Sequence, residues 1–266
     1  MTARTVWSER WRGAVLPAGI LVLWSVATYD GWVRDDVLIT PWRTLAPLGD
    51  AAIRGDLIDG IVASAVRFTE GALLGITLGL ILGVVLGLSR RTDRAVGPSF
   101  HAIRQIAIFA WVPLLTAWFG NGDFGKVVFI ALGAFYPVVM GTYEGICSVP
   151  PHLREIGQLY CFGPWRLLRR IILPAAVPSI VGALQLALIF SWLATIGAEY
   201  LMGGASPGIG TFVMGGREML RTDIVLLGVT VIAAWGFLLN SLLRAGSRRV
   251  LRCGTLPPRL RRGWAA

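Results

Sequence analysis

The segment GNGDFGKV, residues 120–127, has the spacing of two phosphate-binding fingerprints, G-x-G-x-x-G and G-x-x-x-x-G-K. In nucleotide-binding proteins the glycines let backbone amides approach a phosphate, and a hydroxyl directly after the lysine holds Mg²⁺. Here Val127 follows Lys126, so that hydroxyl is missing, and the flanking segments are apolar runs and not the strand of a soluble sheet. We therefore interpret residues 120–127 as a tight turn between two membrane spans.

Charged residues inside apolar runs are the other candidates for chemistry. Arg67 and Glu70 share one run, Arg104 lies in the next, and Glu199 lies in a later one. A charge at the bilayer centre costs about 2.5–3.5 kcal/mol on insertion scales, so each of these side chains should face protein or water. Two interpretations of Arg67 stay open: a structural pair with Glu70 or with Glu199, or a positive charge offered to a passing anion. Together with Trp111, these four residues are the candidate substrate pathway.

Residues suited to catalysis or metal binding do not cluster in the sequence. His101 and His152 are isolated, and the cysteines Cys147, Cys161 and Cys253 lack metal-ligand spacing. We therefore expect no catalytic residue and no metal site, and the cysteines to be reduced.

Composition predicts a membrane protein. Of 266 residues, 55% are hydrophobic and 15% are charged, which points to a bilayer. The net charge of +10 comes from arginines that flank apolar runs, so it does not indicate nucleic acid. Because about 20 apolar residues cross the hydrocarbon core as a helix, we predict an all-α fold of about six transmembrane helices. The predicted spans are residues 13–29, 61–88, 99–119, 126–146, 175–202 and 223–243.

The distribution of basic residues predicts the orientation of these spans. With the N-terminus inside, seventeen Lys and Arg residues fall in cytoplasmic segments and six fall outside, which is a clear positive-inside bias. Both termini are therefore predicted to be cytoplasmic. The predicted organisation is a cytoplasmic segment, 1–12, a transmembrane domain, 13–243, and a basic cytoplasmic tail, 244–266. The run at 13–29 lacks a small-residue cleavage site, so we expect a span and not a removed signal peptide.

The second predicted span has a glycine at every fourth position. Helices in lipid associate through close van der Waals contact, which a stripe without side chains permits. We predict that this stripe packs against another helix, either statically or as a face that slides during a conformational cycle. The stripe consists of Gly71, Gly75, Gly79, Gly83 and Gly87.

The loop between the fourth and fifth spans contains the most polar internal stretch, REIGQLYCFG at 154–163. Pro151 begins this segment, Gly163-Pro164 ends it, and apolar residues recur at helical spacing between them. The sequence predicts a short amphipathic helix, followed by a basic ramp, RLLRRIILP, into the next span. Its physical chemistry suits either a lipid surface or a groove on a soluble partner.

The stretch resembles the coupling-helix signature E-A-A-x3-G-x9-I-x-L-P of ATP-binding cassette importer permeases. Glu155 fills the acidic place, and Ile171, Leu173 and Pro174 fill the I-x-L-P places. Further segments resemble, in order, permeases for nitrate, sulfonate, taurine and related anions, with aliphatic sulfonate permeases closest in pattern. They are SAVR (64–67), LGLSRR (86–91), AWVPL (110–114), WFGNG (118–122), ALGAFYPV (131–138), AEYL (198–201), GIG (208–210) and TDIVLLG (222–228).

The resemblance implies a homodimeric permease in a bacterial inner membrane that imports a small anion. It implies two cytoplasmic ATPase subunits, which use the ATP and Mg²⁺, and a periplasmic or lipid-anchored solute-binding protein; this chain itself would bind no cofactor. The residues implied to couple to the ATPase are Arg154, Glu155, Ile156, Gly157, Cys161 and Gly163.

The sequence also departs from the family pattern. Ile156 and Gly157 stand at the two alanine places, and Cys161 stands at the glycine place. The proline-rich entry to the third span is replaced by RQIAIFA, residues 104–110. The alternative function is a gradient-driven carrier or channel, which inverted repeats and a helix broken at mid-membrane would favour; the sequence shows no internal repeat.

Overall fold

A computed structural model describes residues 19–20, 22–29, 39–204 and 206–254, and within these residues the structure is helical with no β-strand. The predicted all-α fold is therefore confirmed. Three short non-α helices occur, the 3-10 helices Arg43–Gly49 and Ile108–Trp111 and the π-helix Leu168–Ile172. The α-helices are α1 (Ala51–Leu88), α2 (Arg90–Ile103), α3 (Val112–Phe119), α4 (Asp123–Cys147), α5 (Pro151–Leu159), α6 (Pro164–Leu167), α7 (Leu173–Leu201), α8 (Ile209–Glu218) and α9 (Thr222–Gly254).

Four helical stretches of the described residues are long and apolar enough to cross a membrane. They correspond to the predicted second, fourth, fifth and sixth spans, although α1 begins ten residues before the predicted start at residue 61. Of the predicted first span, 13–29, residues 19–20 and 22–29 are described and are helical, whereas the segment 1–12 and the tail beyond residue 254 lie outside the described residues. The four stretches are Ala51–Leu88, Asp123–Cys147, Pro164–Leu201 and Thr222–Ser247.

The predicted third span, 99–119, is wrong as one continuous helix. The helices Arg90–Ile103 and Ile108–Phe119 are bent by 91° relative to each other. Ala107 is extended, with ψ 132°, and the charges of α2 are unsuited to a hydrocarbon core. The twelve residues of Ile108–Phe119 reach about 18 Å at the α-helical rise, short of the roughly 30 Å of a hydrocarbon core.

The described residues form two compact units, those within 1–62 and 207–233 and those within 63–206 and 234–266. The second, here called the bundle unit, contains α2 to α7 with parts of α1 and α9. In the other unit, α8 packs on the first turns of α9, where a Cβ on Gly216 would lie 2.8 Å from Ile224. The short helix α8 was not predicted, because its ten residues carry too few periodic positions to separate them from a loop.

The glycine stripe of α1 faces α4 in the bundle unit. A Cβ atom on Gly71 would lie 2.6 Å from the Ile130 side chain, and one on Gly87 would lie 2.9 Å from Ile146. Contact thus advances in the same direction along both helices, so α1 and α4 are parallel. Since α1 and α4 are parallel, the chain between them must run from the end of α1 back to the level of its start. Residues 89–122 therefore cross the bundle unit once in spite of the bend.

Helix α7 runs antiparallel to α4. Gly133 faces Ala194, whereas Gly145, near the end of α4, faces Ser179 near the start of α7. The end of α4 and the start of α7 therefore meet at one end of the bundle unit, with α5 between them in sequence. We call this end the α5 end, and the other one the opposite end.

Candidate functional site

The predicted coupling segment is a helix, α5, that is anchored on the bundle unit by one apolar side chain. Pro151 takes its first position, where a missing N–H costs no helical hydrogen bond. Leu153 packs against a buried cluster at the α5 end. That cluster consists of Ile146, Val149, Ile172 and Ala176. Leu153 thus packs α5 against a cluster that contains residues of both α4 and α7.

Gly157 faces inward, contrary to its predicted place among the residues that contact a partner. It is buried, and a Cβ atom there would meet Leu167 and lie 2.9 Å from the Ile171 side chain. The family motif has alanine at this place, and an alanine here would require the ends of these two side chains to shift. Gly157 thus positions α5 against the helical ramp.

The outward face of α5 is apolar and open. The exposed fraction is 44% for Ile156, 82% for Leu159 and 73% for Tyr160, and Glu155 is exposed beside them. Large apolar groups gathered on a polar helix indicate a surface that another molecule covers. We call Ile156, Leu159 and Tyr160 the docking face; the side chain of Arg154 lies outside the described residues.

Cys161 ends α5 in the left-handed conformation, with φ +50°. The Phe162 N–H donates to the Gly157 carbonyl at 3.0 Å, which is the closing hydrogen bond of a Schellman motif. That motif favours glycine at this position, so the structure explains why the family signature has glycine where this chain has cysteine. Gly163, in contrast, is extended and precedes the first turn of α6.

Buried charges form a cluster at the opposite end of the bundle unit. The Arg67 guanidinium donates to Glu199 Oε1, and the Ser64 hydroxyl donates to the same oxygen at 2.6 Å. Arg67 Nε also pairs with Asp123 Oδ1 at 3.0 Å. Of the two structural pairs considered for Arg67, the pair with Glu199 is therefore present, and Glu70 is exposed with no ion pair among the described residues.

Lys126 completes this charge cluster. It is fully buried, its Nζ donates to Ser206 Oγ at 3.0 Å, and it lies within Coulombic range of Arg67, Asp123 and Glu199. The two cations and two anions balance, so the cluster holds no net charge. Lys126 of the segment GNGDFGKV therefore makes its hydrogen bond within the protein.

Sequence reasoning missed four members of this cluster, although a signal for them existed. The segments SAVR, GNGDFGKV and AEYL lie far apart in sequence, whereas the structure joins them through Arg67, Asp123 and Glu199. The single lysine of the chain lies next to an apolar run, which is a further indication of a buried charge. The missed members are Ser64, Asp123, Lys126 and Ser206.

The remaining predicted pathway residues lie apart from the charge cluster. Arg104 is at the break after α2 and lines a cavity of about 700 Å³ between that break, α4 and α7. Trp111 packs on an apolar core cluster instead, and its indole N–H is buried with no acceptor among the described residues. Neither Arg67 nor Glu199 lines the cavity.

The stripe glycines between Gly71 and Gly87 make the same close approach to α4. A Cβ on Gly79 would lie 2.9 Å from the Val138 side chain, and one on Gly83 would lie 2.7 Å from Thr142. Gly75 likewise faces Ala131 and Ala134. In the described residues, no group of three or more His, Cys, Asp or Glu side chains is placed to hold a metal ion.

Residues 75–252 match the family model of binding-protein-dependent transport system inner membrane components. The chain belongs to this family. The permease is 34% identical over 241 residues to a Bacillus subtilis (strain 168) protein named as an aliphatic sulfonates transport permease, covering 91% of this chain and 87% of that protein. It is 31% identical to the taurine transport system permease protein TauC of Escherichia coli (strain K12), with 87% and 85% covered. A bicarbonate transport system permease protein, CmpB, of Synechococcus elongatus is 30% identical, with 92% of each chain covered.

Solved structures share the fold of this permease. An amino acid ABC transporter aligns with a TM-score of 0.62 at 17% identity, covering 74% of this chain and 94% of that one. The MetNI methionine ABC transporter, in an inward-facing conformation, aligns with a TM-score of 0.59 at 19% identity, covering 78% and 100%. The bent third span would on its own have favoured the gradient-driven alternative, but family membership shows a transport subunit of the binding-protein-dependent class.

Proposed function

We propose that this chain is the membrane subunit of an importer that carries a small organic or inorganic anion into the cytoplasm, with aliphatic sulfonates ahead of taurine and nitrate. The order follows the relatives, since the protein named for aliphatic sulfonates is more similar than those named for taurine or bicarbonate. The active assembly would be a homodimer with two cytoplasmic ATPase subunits and a periplasmic or lipid-anchored solute-binding protein. ATP and Mg²⁺ would be bound by the ATPase subunits alone, and the chain would lie in a bacterial inner membrane among its lipids.

The docking face of α5 is the observation that carries this proposal. Its apolar side chains are held outward because Leu153 and Gly157 fix the other side of the helix to the bundle unit. A groove on an ATPase subunit would bury Ile156, Leu159 and Tyr160, with Glu155 at their edge. Closure of the ATPases on ATP would then move α5 and, through it, the start of α7, as a rigid-body change between two states.

The course of α9 supports cytoplasmic placement of the C-terminal tail. Trp192 of α7 stacks on Trp235 at a ring distance of 6.3 Å, and Leu188 shares a small cavity with Leu239 and Leu243. Helix α9 is thus antiparallel to α7 and ends at the α5 end. If ATPase subunits bind α5, the basic tail lies on their side of the membrane, as the arginine count predicts.

A double substitution on the docking face tests the proposal. Leu159→Ser with Tyr160→Ser removes exposed side chains that make few contacts within the chain, so the permease should still fold and insert. Loss of two buried apolar anchors costs an interface about 2 kcal/mol or more, so the ATPase should no longer co-purify and substrate-stimulated ATP hydrolysis in vesicles should fall. His152→Ser, an exposed polar change on the same helix, is the matched control.

Two results would contradict the proposal. One is full retention of the ATPase by the double variant at normal expression. The other is uptake in ATP-free vesicles that collapses with an ionophore, which would support the gradient-driven carrier.

A further inference from the structure

The cavity beside the break in the third span has the features of a ligand site. It measures about 700 Å³ and lies within the bundle unit, bounded by residues 104–108, by α4 and by α7. We propose that it binds an organic anion with a short apolar tail, whose charged head pairs with Arg104. This inference rests on the proposed function and deepens it by assigning a site and a chemical class of substrate.

Arg104 is the cation suited to hold such a head group. It is exposed and forms no ion pair with any described residue, whereas the buried cations Arg67 and Lys126 are balanced within the charge cluster. A guanidinium presents a planar set of donors that matches a sulfonate or carboxylate in two hydrogen bonds. Gln105, the next lining residue, adds a neutral donor and acceptor.

The rest of the lining is mainly apolar. Ile106 of the break, Leu132 of α4, and Leu186 and Phe190 of α7 face this space. Small-molecule sites combine such walls with a few polar groups that fix orientation. An alkyl tail removes these walls from water, whereas nitrate or bicarbonate has no apolar part and leaves them hydrated.

A carboxylate in the same cavity sets the direction in which an anion would lie. Glu144 lines the cavity near the end of α4, twelve residues beyond Leu132 and therefore about 18 Å further along the helix axis. It also has no ion pair with a described residue. Because like charges repel, the head group is favoured at Arg104 and disfavoured beside Glu144.

Gly182 allows the cavity to be filled without disturbing the fold. It lines the cavity, and a Cβ atom there would meet nothing within 4 Å. Gly182→Leu should therefore place a side chain in the space that the alkyl tail needs. Gly246 is also helical with no atom near a Cβ, but it does not line the cavity, so Gly246→Leu is the matched control.

The test is equilibrium binding of radiolabelled butanesulfonate to the purified permease–ATPase complex in lipid nanodiscs. Arg104→Gln and Gly182→Leu should each weaken binding by about tenfold or more, a change of roughly 1.4 kcal/mol. Arg104→Lys, which keeps the charge without the planar fork, should bind between wild type and Arg104→Gln. The controls Gly246→Leu and Arg94→Gln, an exposed arginine of α2 outside the lining, should stay within about twofold of wild type.

Competition tests the chemical class. Unlabelled butanesulfonate should displace the probe at a concentration about tenfold or more below that needed for nitrate or bicarbonate. The reason is that only butanesulfonate has an alkyl tail that covers the apolar walls of the cavity. Equal displacement by nitrate would overturn the assignment of an apolar tail. Unchanged binding in both cavity variants, or no binding to an assembled complex that hydrolyses ATP, would overturn the site while leaving the proposed function intact. Failure of the complex to assemble at all would count against the proposed function instead.

Discussion

Replacing Arg67 by methionine should destabilise the permease strongly, because it leaves a buried carboxylate without its hydrogen-bonded cation. The side chain of Arg67 is 4% exposed and that of Glu199 is 0% exposed. Removing one partner of such a pair typically costs about 3–5 kcal/mol. We expect a loss of that size in the free energy of unfolding.

Asp123, the second partner of Arg67, provides the internal comparison. Its oxygen lies 3.0 Å from Arg67 Nε, and at an effective dielectric constant of about 20 the unscreened attraction would be about 5.5 kcal/mol. The Asp123 side chain is 58% exposed, however, and water screening reduces such pairs to about 1 kcal/mol or less. Asp123→Asn should therefore cost at most about a third of the effect of Arg67→Met.

The measurement is unfolding of the purified permease in mixed micelles by increasing dodecyl sulfate, followed by tryptophan fluorescence. The double variant Arg67→Met with Glu199→Met should recover much of the stability lost in Arg67→Met, since apolar replacement of a whole buried pair is often nearly neutral. Equal losses for Arg67→Met and Asp123→Asn, or a double variant less stable than both single ones, would refute this account of the charge cluster.

A further variant, Arg67→Gln, tests whether Arg67 attracts the transported anion. Because Glu199 and Asp123 compensate its charge, we expect uptake to fall only in proportion to folded protein. If uptake per folded Arg67→Gln molecule falls about tenfold while its unfolding curve stays close to wild type, the pathway interpretation of Arg67 is supported instead.

Three further predictions follow from the packing and topology. Gly79→Leu should reduce folded, extractable protein, because even its Cβ would lie 2.9 Å from the Val138 side chain, and overpacking typically costs about 1–3 kcal/mol; normal yield and uptake would contradict close packing of the stripe. Cys161→Gly should stabilise the end of α5 by about 1 kcal/mol, seen as a higher midpoint in the same unfolding assay, whereas a lower midpoint would contradict the left-handed cap. A reporter fused after Ala266 should be active only if it is a cytoplasmic type, because an arginine-rich tail resists translocation; activity of an exported type would end the predicted topology.

The long spans and the coupling helix could be predicted because each has a strong local signal. A run of apolar residues fixes a span whatever surrounds it, and proline and glycine at the ends of 151–164 mark a short helix. The glycine period of four likewise predicted a packed face. The glycine period does not identify the helix that packs against the stripe, because α4 can be assigned only from contacts between residues far apart in sequence.

The bend in the third span and the charge cluster depended on tertiary structure. Residues 99–119 are apolar enough to be interpreted as one span, and the turn at residues 104–106 with the non-helical backbone at Ala107 breaks it. The replacement of the family's proline-rich segment at 104–110 is visible in the sequence, but it does not indicate where the chain turns. Arg67 had two carboxylates as candidate partners, and sequence spacing favoured neither.

The architecture of the bundle unit explains how a signal at α5 can act over its whole length. Helix α4 contacts the stripe of α1 from Ile130 to Ile146, so these two helices are closely packed along this length. The charge cluster holds α7 to the same pair at the opposite end, while the contacts of Leu153 hold α5 to the end of α4 and the start of α7. The segment around Arg104 lacks such ties, since it is exposed and borders the cavity. We therefore expect a displacement of α5 to change the shape of the cavity at the wall formed by residues 104–108 and to leave the α1–α4 contact unchanged.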